Sequence, residues 1–347
     1  MCAELTKSNP AKSIKAIILF SGGLDSTLAA HLAKQQGLKL EALKFVSPFC
    51  MCNKKGGCSN HDSPSTLKSL GIELKTIDNT NEMLECVRKP KHGYGSGLNP
   101  CIDCRILMLK KTKEYMLKIE ASFVITGEVL GQRPMSQRRH ILQLVEKESG
   151  LDGLIVRPLC AQSLEETIPE KKNWIDRGRL LNIVGRGRKE QIAIAKKLGI
   201  NDYPCPAGGC LLTDPNFCRR LKDLMNYKPD FSLNDILLLK LGRHFRLNQD
   251  SRLIVGRNEK ENNALLKLVK DDDLMITPEE TIAGPTALGI GRFNTQQRQL
   301  ACSIVSRYCD KGVASRVRID IEDRRTRKKE YFDSPPISSE SLSSLII

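Results

Sequence analysis

The stretch that decides the fold is IKAIILFSGGLDSTLAAHLAKQQ, residues 14–36. Its first part, Ile14–Phe20, is apolar and β-branched, as a strand buried on both faces is. Its last part, from Ser26, reads as a helix. Between them lies a corner, Ser21-Gly22-Gly23-Leu24-Asp25-Ser26. Backbone N–H groups at a helix start lack intrahelical partners and carry partial positive charge, so they favour an anion. Gly22 and Gly23 let a phosphate approach with no Cβ in the way, and Ser21 and Ser26 add hydroxyl donors. The pattern G-x-x-x-x-G-K-[ST] occurs nowhere in the chain, so this is not a Walker loop. Asp25 beside bound phosphates calls for a Mg²⁺ ion to bridge them.

Working outward, strand-like and helix-like segments alternate. Strands are expected at Ile14–Phe20, Leu40–Val46, Ile72–Ile77, Phe123–Gly127 and Leu154–Pro158, and helices at Ser26–Gln36, Ser63–Leu70, Cys101–Ile119 and Gln137–Lys147. The alternation predicts an α/β fold: an open, mostly parallel sheet with helices on both faces, binding ligands beyond the carboxyl ends of its strands. A further helical stretch is expected over Pro169–Leu198, and NYKPDFS, Asn226–Ser232, reads as a linker. A smaller α+β unit follows, with strands at Lys240–Leu247, Arg252–Val255, Leu274–Ile276 and Arg316–Ile321 and helices at Glu259–Leu268 and Thr295–Tyr308. The expected division is a leader over 1–12, an α/β domain over 13–225, an α+β domain over 226–323, and a charged, flexible tail over 324–347.

The chain has 347 residues and a net charge of +15. From Lys228 onward there are 20 basic and 17 acidic residues, so the larger N-terminal part carries most of the excess. A nucleic-acid partner is the natural reading. No apolar run reaches the roughly 20 residues of a membrane helix, and MCAELTKSNPAK lacks the apolar core of a signal peptide. A cytoplasmic location with no membrane partner is therefore expected.

Thirteen cysteines in a cytoplasmic chain point away from disulfides and towards metal, iron–sulfur or sulfur-transfer chemistry. In NPCIDCR, Asn99 reads as N-cap and Pro100 as the first helical residue, which puts Cys101 and Cys104 at i and i+3 in the opening turn. The helix dipole is expected to favour their thiolates. A third cysteine, Cys210, ends PAGGC. Two chemistries are open to this trio. Three cysteines can hold a [4Fe–4S] cluster and leave one iron open; alternatively, one thiolate accepts sulfur as a persulfide and another resolves it. Cys50, Cys52, Cys58 and His61, in FCMCNKKGGCSNH, have a spacing that suits a metal but also an ordinary polar loop. Cys2, Cys86, Cys160, Cys218, Cys302 and Cys309 read as packing or surface residues, and Cys205 ranks below Cys210.

TGEVLGQRPMSQRRH, Thr126–His140, follows a strand and so lies at the same sheet edge as the glycine corner. Gly127 admits a nucleotide base against the backbone, and Gln132, Arg133 and Ser136 are candidate contacts for phosphate or RNA. Arg138 and Arg139, with Arg177, Arg179, Arg186, Arg188 and Lys189, suggest a surface that tracks phosphates.

SGGLDS resembles the PP-loop, S-G-G-x-D-S, of ATP pyrophosphatases. Together with NPCIDCR and TGEVLGQRPMSQ it makes the first ~225 residues similar to PP-loop tRNA thiolation enzymes, in particular the adenylating domain of tRNA 4-thiouridine synthetases and next the tRNA 2-thiouridylases. FSLNDILLLKLGRHFRLN through LIVGRNEKEN resembles a bacterial variant of the NFACT-R RNA-binding domain. The resemblance implies a tRNA sulfurtransferase that binds ATP at Ser21, Gly22, Gly23, Asp25, Ser26 and Gly127. It implies Mg²⁺ near Asp25 and adenylation of a uridine carbonyl. Sulfur transfer from Cys101, Cys104 and Cys210 follows, with a [4Fe–4S] cluster or persulfide there. Inorganic sulfide or a cysteine desulfurase is the implied donor, tRNA the implied partner, and a homodimer stays open. Set against that resemblance, the sequence leads us to expect no tRNA-presenting module ahead of the loop, no rhodanese-like tail and no second-cysteine context of the 2-thiouridylase kind. These departures point to the subgroup in which the cluster takes sulfide. Two other classes stand beside this reading: another PP-loop adenylating enzyme (amidotransferase-like, or a small-molecule sulfur transferase), and a non-catalytic RNA-binding quality-control protein.

Overall fold

The computed structural model describes residues 14–51, 65–200, 209–310 and 315–347. The expected leader over 1–12, and Cys2, Cys52, Cys58, His61 and Cys205, lie outside these residues. The chain separates into two compact units, Met1–Thr213 and Asp214–Ile347.

In the first unit, β1 (Lys15–Leu19), β2 (Lys39–Val46), β3 (Glu73–Asp78), β4 (Phe123–Thr126) and β5 (Ile155–Val156) form a five-stranded sheet in the order β3-β2-β1-β4-β5. All four pairings are parallel. Between the strands come α1 (Leu24–Gln35), α2 (Ser65–Ser69), α3 (Thr80–Arg88), α4 (Cys101–Lys118) and α5 (Arg139–Ser149), and after them α6 (Ile168–Lys171) and α7 (Lys189–Lys197). The period of two along a strand explains the two cores. Ala16 and Ile18 of β1, with Phe123 and Ile125 of β4, meet Ala29, Ala30 and Ala33 of α1 on one face. Ile17, Leu19 and Val124 meet Ile102, Ile106 and Leu109 of α4 on the other. Each fully buried Ile or Leu contributes about 1.5–3 kcal/mol. The strand order reverses between β1 and β4, so the carboxyl ends of these strands flank a topological switch point.

The second unit contains α8 (Pro215–Tyr227), α9 (Leu233–Leu239), β6 (Arg243–Arg246), β7 (Ser251–Val255), α10 (Glu259–Leu268), β8 (Leu274–Pro278), β9 (Ala287–Gly291), α11 (Thr295–Arg307), β10 (Val317–Asp323), β11 (Lys329–Ser334) and α12 (Ser339–Leu345). Its six strands are antiparallel in the order β11-β10-β8-β9-β7-β6. Ala301, Cys302, Ile304 and Val305 of α11 pack on one face of this sheet. Leu238 and Leu265, from α9 and α10, pack on the other against Ile254 and Leu288.

Four expectations change. The long helix over Pro169–Leu198 is instead two short helices separated by irregular chain, because Gly178, Gly185 and Gly187 and the Asp176 turn interrupt it. The stretch Asn226–Ser232 is not a separate linker: α8 runs into it to Tyr227, and Ser232 then caps α9. The boundary falls at Thr213/Asp214, where Asp214 caps α8 by accepting from the Phe217 N–H at 2.8 Å. The tail is ordered: Lys329–Ser334 pairs with β10, and Ile346 forms a bridge to Phe245. Alternating exposure along β11 lets charged residues face outward while the strand stays in the sheet.

Candidate active site

The glycine corner joins β1 to α1 at the carboxyl edge of the sheet. Helix α1 starts at Leu24 with Gly23 at its N-cap, and no side chain caps it. Its first N–H groups are thereby left to an incoming acceptor. Gly22 has φ +78°, a left-handed conformation that favours glycine. The Ser26 hydroxyl donates to Gly23 O at 2.9 Å and lies 3.2 Å from the Ser21 hydroxyl.

Three groups converge on Asp25. Gln132 donates its side-chain amide to Asp25 Oδ2 at 2.9 Å. Arg188 approaches the same oxygen at 3.9 Å, and Arg133 contributes positive charge from further away. Burial nonetheless pushes the Asp25 carboxyl above its ordinary range, against all three. Asp25 Oδ1 is buried and has no hydrogen-bond partner among the described residues. An orphaned carboxylate oxygen beside an open helix start fits a Mg²⁺ ion bridging to phosphate. Gly127 packs on the same corner. A Cβ there would lie 2.6 Å from Asp25 C and Ser26 N. The close approach that requires this glycine is therefore to the protein's own loop, whereas the sequence suggested a nucleotide base.

Cys101 and Cys104 open α4, and Cys210 lies on a segment tied to the loop that precedes it. Pro100, rather than Asn99, is the N-cap of α4. Asn99 is buried, accepts from the Gly97 N–H at 3.0 Å, and donates its amide to Cys101 Sγ at 3.2 Å. Its side chain is committed to the thiol and the preceding loop, which is why it does not cap. Cys210 is fixed from two sides. Its neighbours bond to the chain after β2, Met51 N–H to Gly209 O at 3.2 Å and Leu211 N–H to Phe49 O at 2.8 Å. Leu98 N–H donates to Leu212 O at 3.0 Å, tying the same segment to the loop before α4. Cys101, Cys104 and Cys210 influence one another electrostatically, and Cys50 and Cys86 belong to the same neighbourhood.

Burial pushes the Cys104 thiol up to about 12 and the Cys210 thiol up to about 11. The expectation that the helix dipole favours thiolates fails for Cys104: burial outweighs a partial charge. A metal or sulfur donor must displace these protons. Among the described residues no group of three or more His, Cys, Asp or Glu is arranged around a single metal ion. An iron–sulfur cube spreads its thiolates more widely than one ion does, and three cysteines within electrostatic range of one another are the donor type such a cluster takes.

Residues 11–174 match the family model "Thiamine biosynthesis protein (ThiI)". The first unit carries a ThiI domain. Residues 242–346 match "NFACT protein RNA binding domain". A "Probable tRNA sulfurtransferase" of Ureaplasma parvum is 28% identical over 175 residues, 46% of this chain and 40% of that protein. The "tRNA-specific 2-thiouridylase MnmA" of Blochmanniella pennsylvanica is 29% identical over 142 residues, 38% of each chain. The chain therefore spans about 40% of the length of these curated relatives. The crystal structure of a 4-thiouridine synthetase–RNA complex with bound ATP aligns over 65% of this chain and 52% of that one, with 18% identity and a TM-score of 0.36.

The ThiI match includes Cys101 and Cys104 but ends before Cys210 and the basic run from Arg177 to Lys189. The structure divides that run. Arg177 is committed to Glu170 at 2.7 Å and to Leu164 O at 2.8 Å. Arg179 holds Gln35 O at 2.8 Å, and Arg139 holds Ser163 O at 2.7 Å. These three tie loops together. Arg188 faces Asp25, at the phosphate loop rather than on a separate RNA surface. Arg133, Arg138, Arg186 and Lys189 are exposed. Arg133 lies within electrostatic reach of both Asp25 and Cys210.

Behind the ThiI domain's thiols is a network that sequence reasoning missed. Glu128 is 2% exposed and accepts from Arg157 Nε at 3.0 Å and from the Thr126 hydroxyl at 3.1 Å. Arg105, one residue after Cys104, forms an ion pair with it at 3.0 Å. Arg157 also pairs with Glu146. Burial favours the neutral acid, but Arg105 and Arg157 prevail and hold Glu128 below the ordinary carboxylate range. His92 Nδ1 lies 3.0 Å from Asp103 Oδ1, and Nε2 lies 3.1 Å from Glu148 Oε1. This pins the loop preceding α4 to the Cys101–Cys104 turn. Charged residues inside an otherwise apolar pattern were the available signal, but only the fold shows which of them are buried.

Proposed function

We propose that this chain is an ATP-dependent tRNA sulfurtransferase that adenylates a uridine carbonyl and replaces its oxygen with sulfur. The observation that carries the reading is the phosphate corner itself, an uncapped helix start at Gly23 and Leu24 beside Asp25, whose buried Oδ1 has no hydrogen-bond partner among the described residues. Arg133, whose charge is felt at both Asp25 and Cys210, supports reading the ATP corner and the thiols as one site. The matches to the ThiI model, to sulfurtransferase relatives and to an RNA-binding domain support it.

The steps follow from the residues. The open N–H groups of α1 and the Ser21 and Ser26 hydroxyls receive the phosphates of ATP. Asp25 is the residue to hold Mg²⁺, which would neutralise phosphate charge. A tRNA uridine enters unstacked, since its carbonyl is inaccessible inside a stack. The carbonyl oxygen attacks the α-phosphorus and pyrophosphate leaves. Arg188 and Arg133 stabilise the charge developing at phosphorus. Sulfur held at Cys101, Cys104 and Cys210 then attacks the uridine carbon, and the C–O bond breaks as AMP departs. Held by these three thiolates, a [4Fe–4S] cluster would offer one open iron for sulfide; the other source is a persulfide on one of them, whose outer sulfur bonds the uridine carbon while a second of the three thiolates attacks its inner sulfur, leaving a protein disulfide that an external thiol reduces.

The test is the purified protein with tRNA, ATP and sulfide, read by pyrophosphate release and by mass spectrometry of digested tRNA. Thionucleoside is expected from the wild type. Cys101→Ala is expected to abolish it while leaving ATP binding intact. Unchanged thionucleoside in that variant removes the thiols from the reaction.

A further inference from the structure

Cys50 and Cys210 are partners in an isolated antiparallel bridge. The two flanking hydrogen bonds, Met51 N–H to Gly209 O and Leu211 N–H to Phe49 O, enclose them. Their own backbone groups bond elsewhere: Cys50 N–H donates to Ser47 O at 3.2 Å, and Cys210 O accepts from Thr213 N–H at 3.0 Å. This is the non-hydrogen-bonded type of antiparallel pair. Its Cα atoms lie about 4.5 Å apart, with both side chains on the same face. That separation falls inside the range of roughly 4.4–6.8 Å that disulfides span. Both residues stand as reduced thiols, half-buried, and Cys50 is among the groups that raise the Cys210 thiol.

We propose that Cys50 and Cys210 form a reversible cross-strand disulfide, and that closing it withdraws Cys210 from Cys101 and Cys104. The pairing itself depends only on backbone register; its consequence for sulfur transfer rests on the function proposed above. The oxidant is a small-molecule disulfide such as glutathione disulfide. One cysteine thiolate attacks it, giving a mixed disulfide and one glutathione thiolate. The second cysteine thiolate attacks the protein sulfur of that mixed disulfide and displaces the other glutathione. Two protein thiols are oxidised, one glutathione disulfide is reduced to two glutathione thiols, and the two cysteine protons pass to the leaving thiolates. Glutathione thiol in excess reverses both steps. Cys210 is committed either to the β2 side of its bridge or to the α4 side, where Cys101 and Cys104 lie, because one sulfur cannot serve both.

The experiment equilibrates the full chain in glutathione buffers of increasing disulfide content, quenches with acid, alkylates, and maps peptides by mass spectrometry. The expected product is a Cys50–Cys210 cross-linked peptide that returns to two alkylated peptides on reduction. Cys50→Ser is expected to abolish it and to leave Cys210 alkylated or carrying glutathione. Cys101→Ser and Cys104→Ser are expected to leave it in place. A Cys210 cross-link to Cys101 or Cys104, or Cys50 and Cys210 both alkylated at the most oxidising ratio, overturns the proposal. Sulfur transfer is then measured on the oxidised and re-reduced wild type and on Cys50→Ser. A mapped disulfide with no thiolation in any state removes the thiolation reading and leaves the cross-link standing. Thiolation unchanged by the mapped disulfide overturns the withdrawal of Cys210.

Discussion

Gln132 donates its side-chain amide to Asp25 Oδ2 at 2.9 Å, across 107 positions of sequence. The contact joins the loop after β4 to the phosphate corner after β1, on the two strands that flank the switch point. It also accounts for a carboxylate whose other oxygen is buried and unsatisfied. That oxygen costs the ligand-free protein something and is available to a metal.

Asp25→Asn separates these two effects. The Asp25 carboxyl is raised above its unfolded value in the folded protein. The native state therefore holds its proton more tightly, and stability falls as pH rises from the unfolded value through the folded one. Above that window the charged form is a burden that asparagine lacks. Asp25→Asn is expected to melt higher than the wild type near neutral pH without ligand, with the difference vanishing in acid. Pyrophosphate formation is expected to fall by about 10²-fold or more, as for loss of a group that stabilises transition-state charge. Melting curves across pH and a pyrophosphate assay check both.

Gly127→Ala tests the packing at the corner. The new Cβ meets backbone atoms at 2.6 Å, and backbone cannot rotate away as a side-chain tip does. Overpacking of this kind costs about 1–3 kcal/mol. The urea midpoint is expected to drop, with weaker ATP binding because the atoms displaced are those of Asp25 and Ser26. A variant with wild-type midpoint and wild-type ATP affinity would show that the corner tolerates the shift.

The parallel sheet was legible because its strands are short apolar runs with no other way to be buried; the expected Phe123–Gly127 and the observed Phe123–Thr126 differ by one residue. The glycine corner was legible for a similar reason, since few motifs place a carboxylate beside two glycines at a strand end. What escaped depended on distance in sequence. Nothing local says that Gln132 reaches Asp25, that Arg188 turns to the phosphate loop while Arg177 turns to Glu170, or that Cys50 lies opposite Cys210. The tail misled because its charges lie on the exposed positions of β11, whose hydrogen bonds to β10 do not depend on side-chain polarity. Cys104 misled because the dipole argument treats a helix start as solvated, and here it is half-buried, with desolvation outweighing the partial charge.

Glu128→Gln is expected to be among the most destabilising conservative changes in the ThiI domain. It removes a buried carboxylate that pairs with both Arg105 and Arg157 and leaves Arg157 with Glu146 alone. Removing one partner of a buried pair costs about 3–5 kcal/mol. The sign with pH is opposite to that of Asp25. Glu128 is lowered in the folded state, so its stabilisation is present above the unfolded value and lost as pH falls through the folded one. Urea unfolding is expected to show the full difference near pH 7 and a shrinking one in acid. A pH-independent difference would assign the loss to packing instead.

Arg133 and Arg177 were indistinguishable as sequence, two arginines in basic loops, and the structure gives them different work. Arg177 is held by Glu170 at 2.7 Å and by Leu164 O, so its replacement by alanine should loosen the chain between α6 and α7 and lower the melting temperature. Arg133 is exposed, and its charge reaches both Asp25 and Cys210. Arg133→Ala should leave melting unchanged, weaken tRNA binding, and reduce the salt slope of that binding by about 1 if the side chain meets a phosphate. Thiolation should fall further than binding, by about 10–10²-fold in kcat, because the same cation stabilises charge at the adenylated intermediate. Equal losses in kcat/KM and tRNA affinity, with kcat untouched, would confine Arg133 to binding and break the link it makes between the phosphate corner and the thiols.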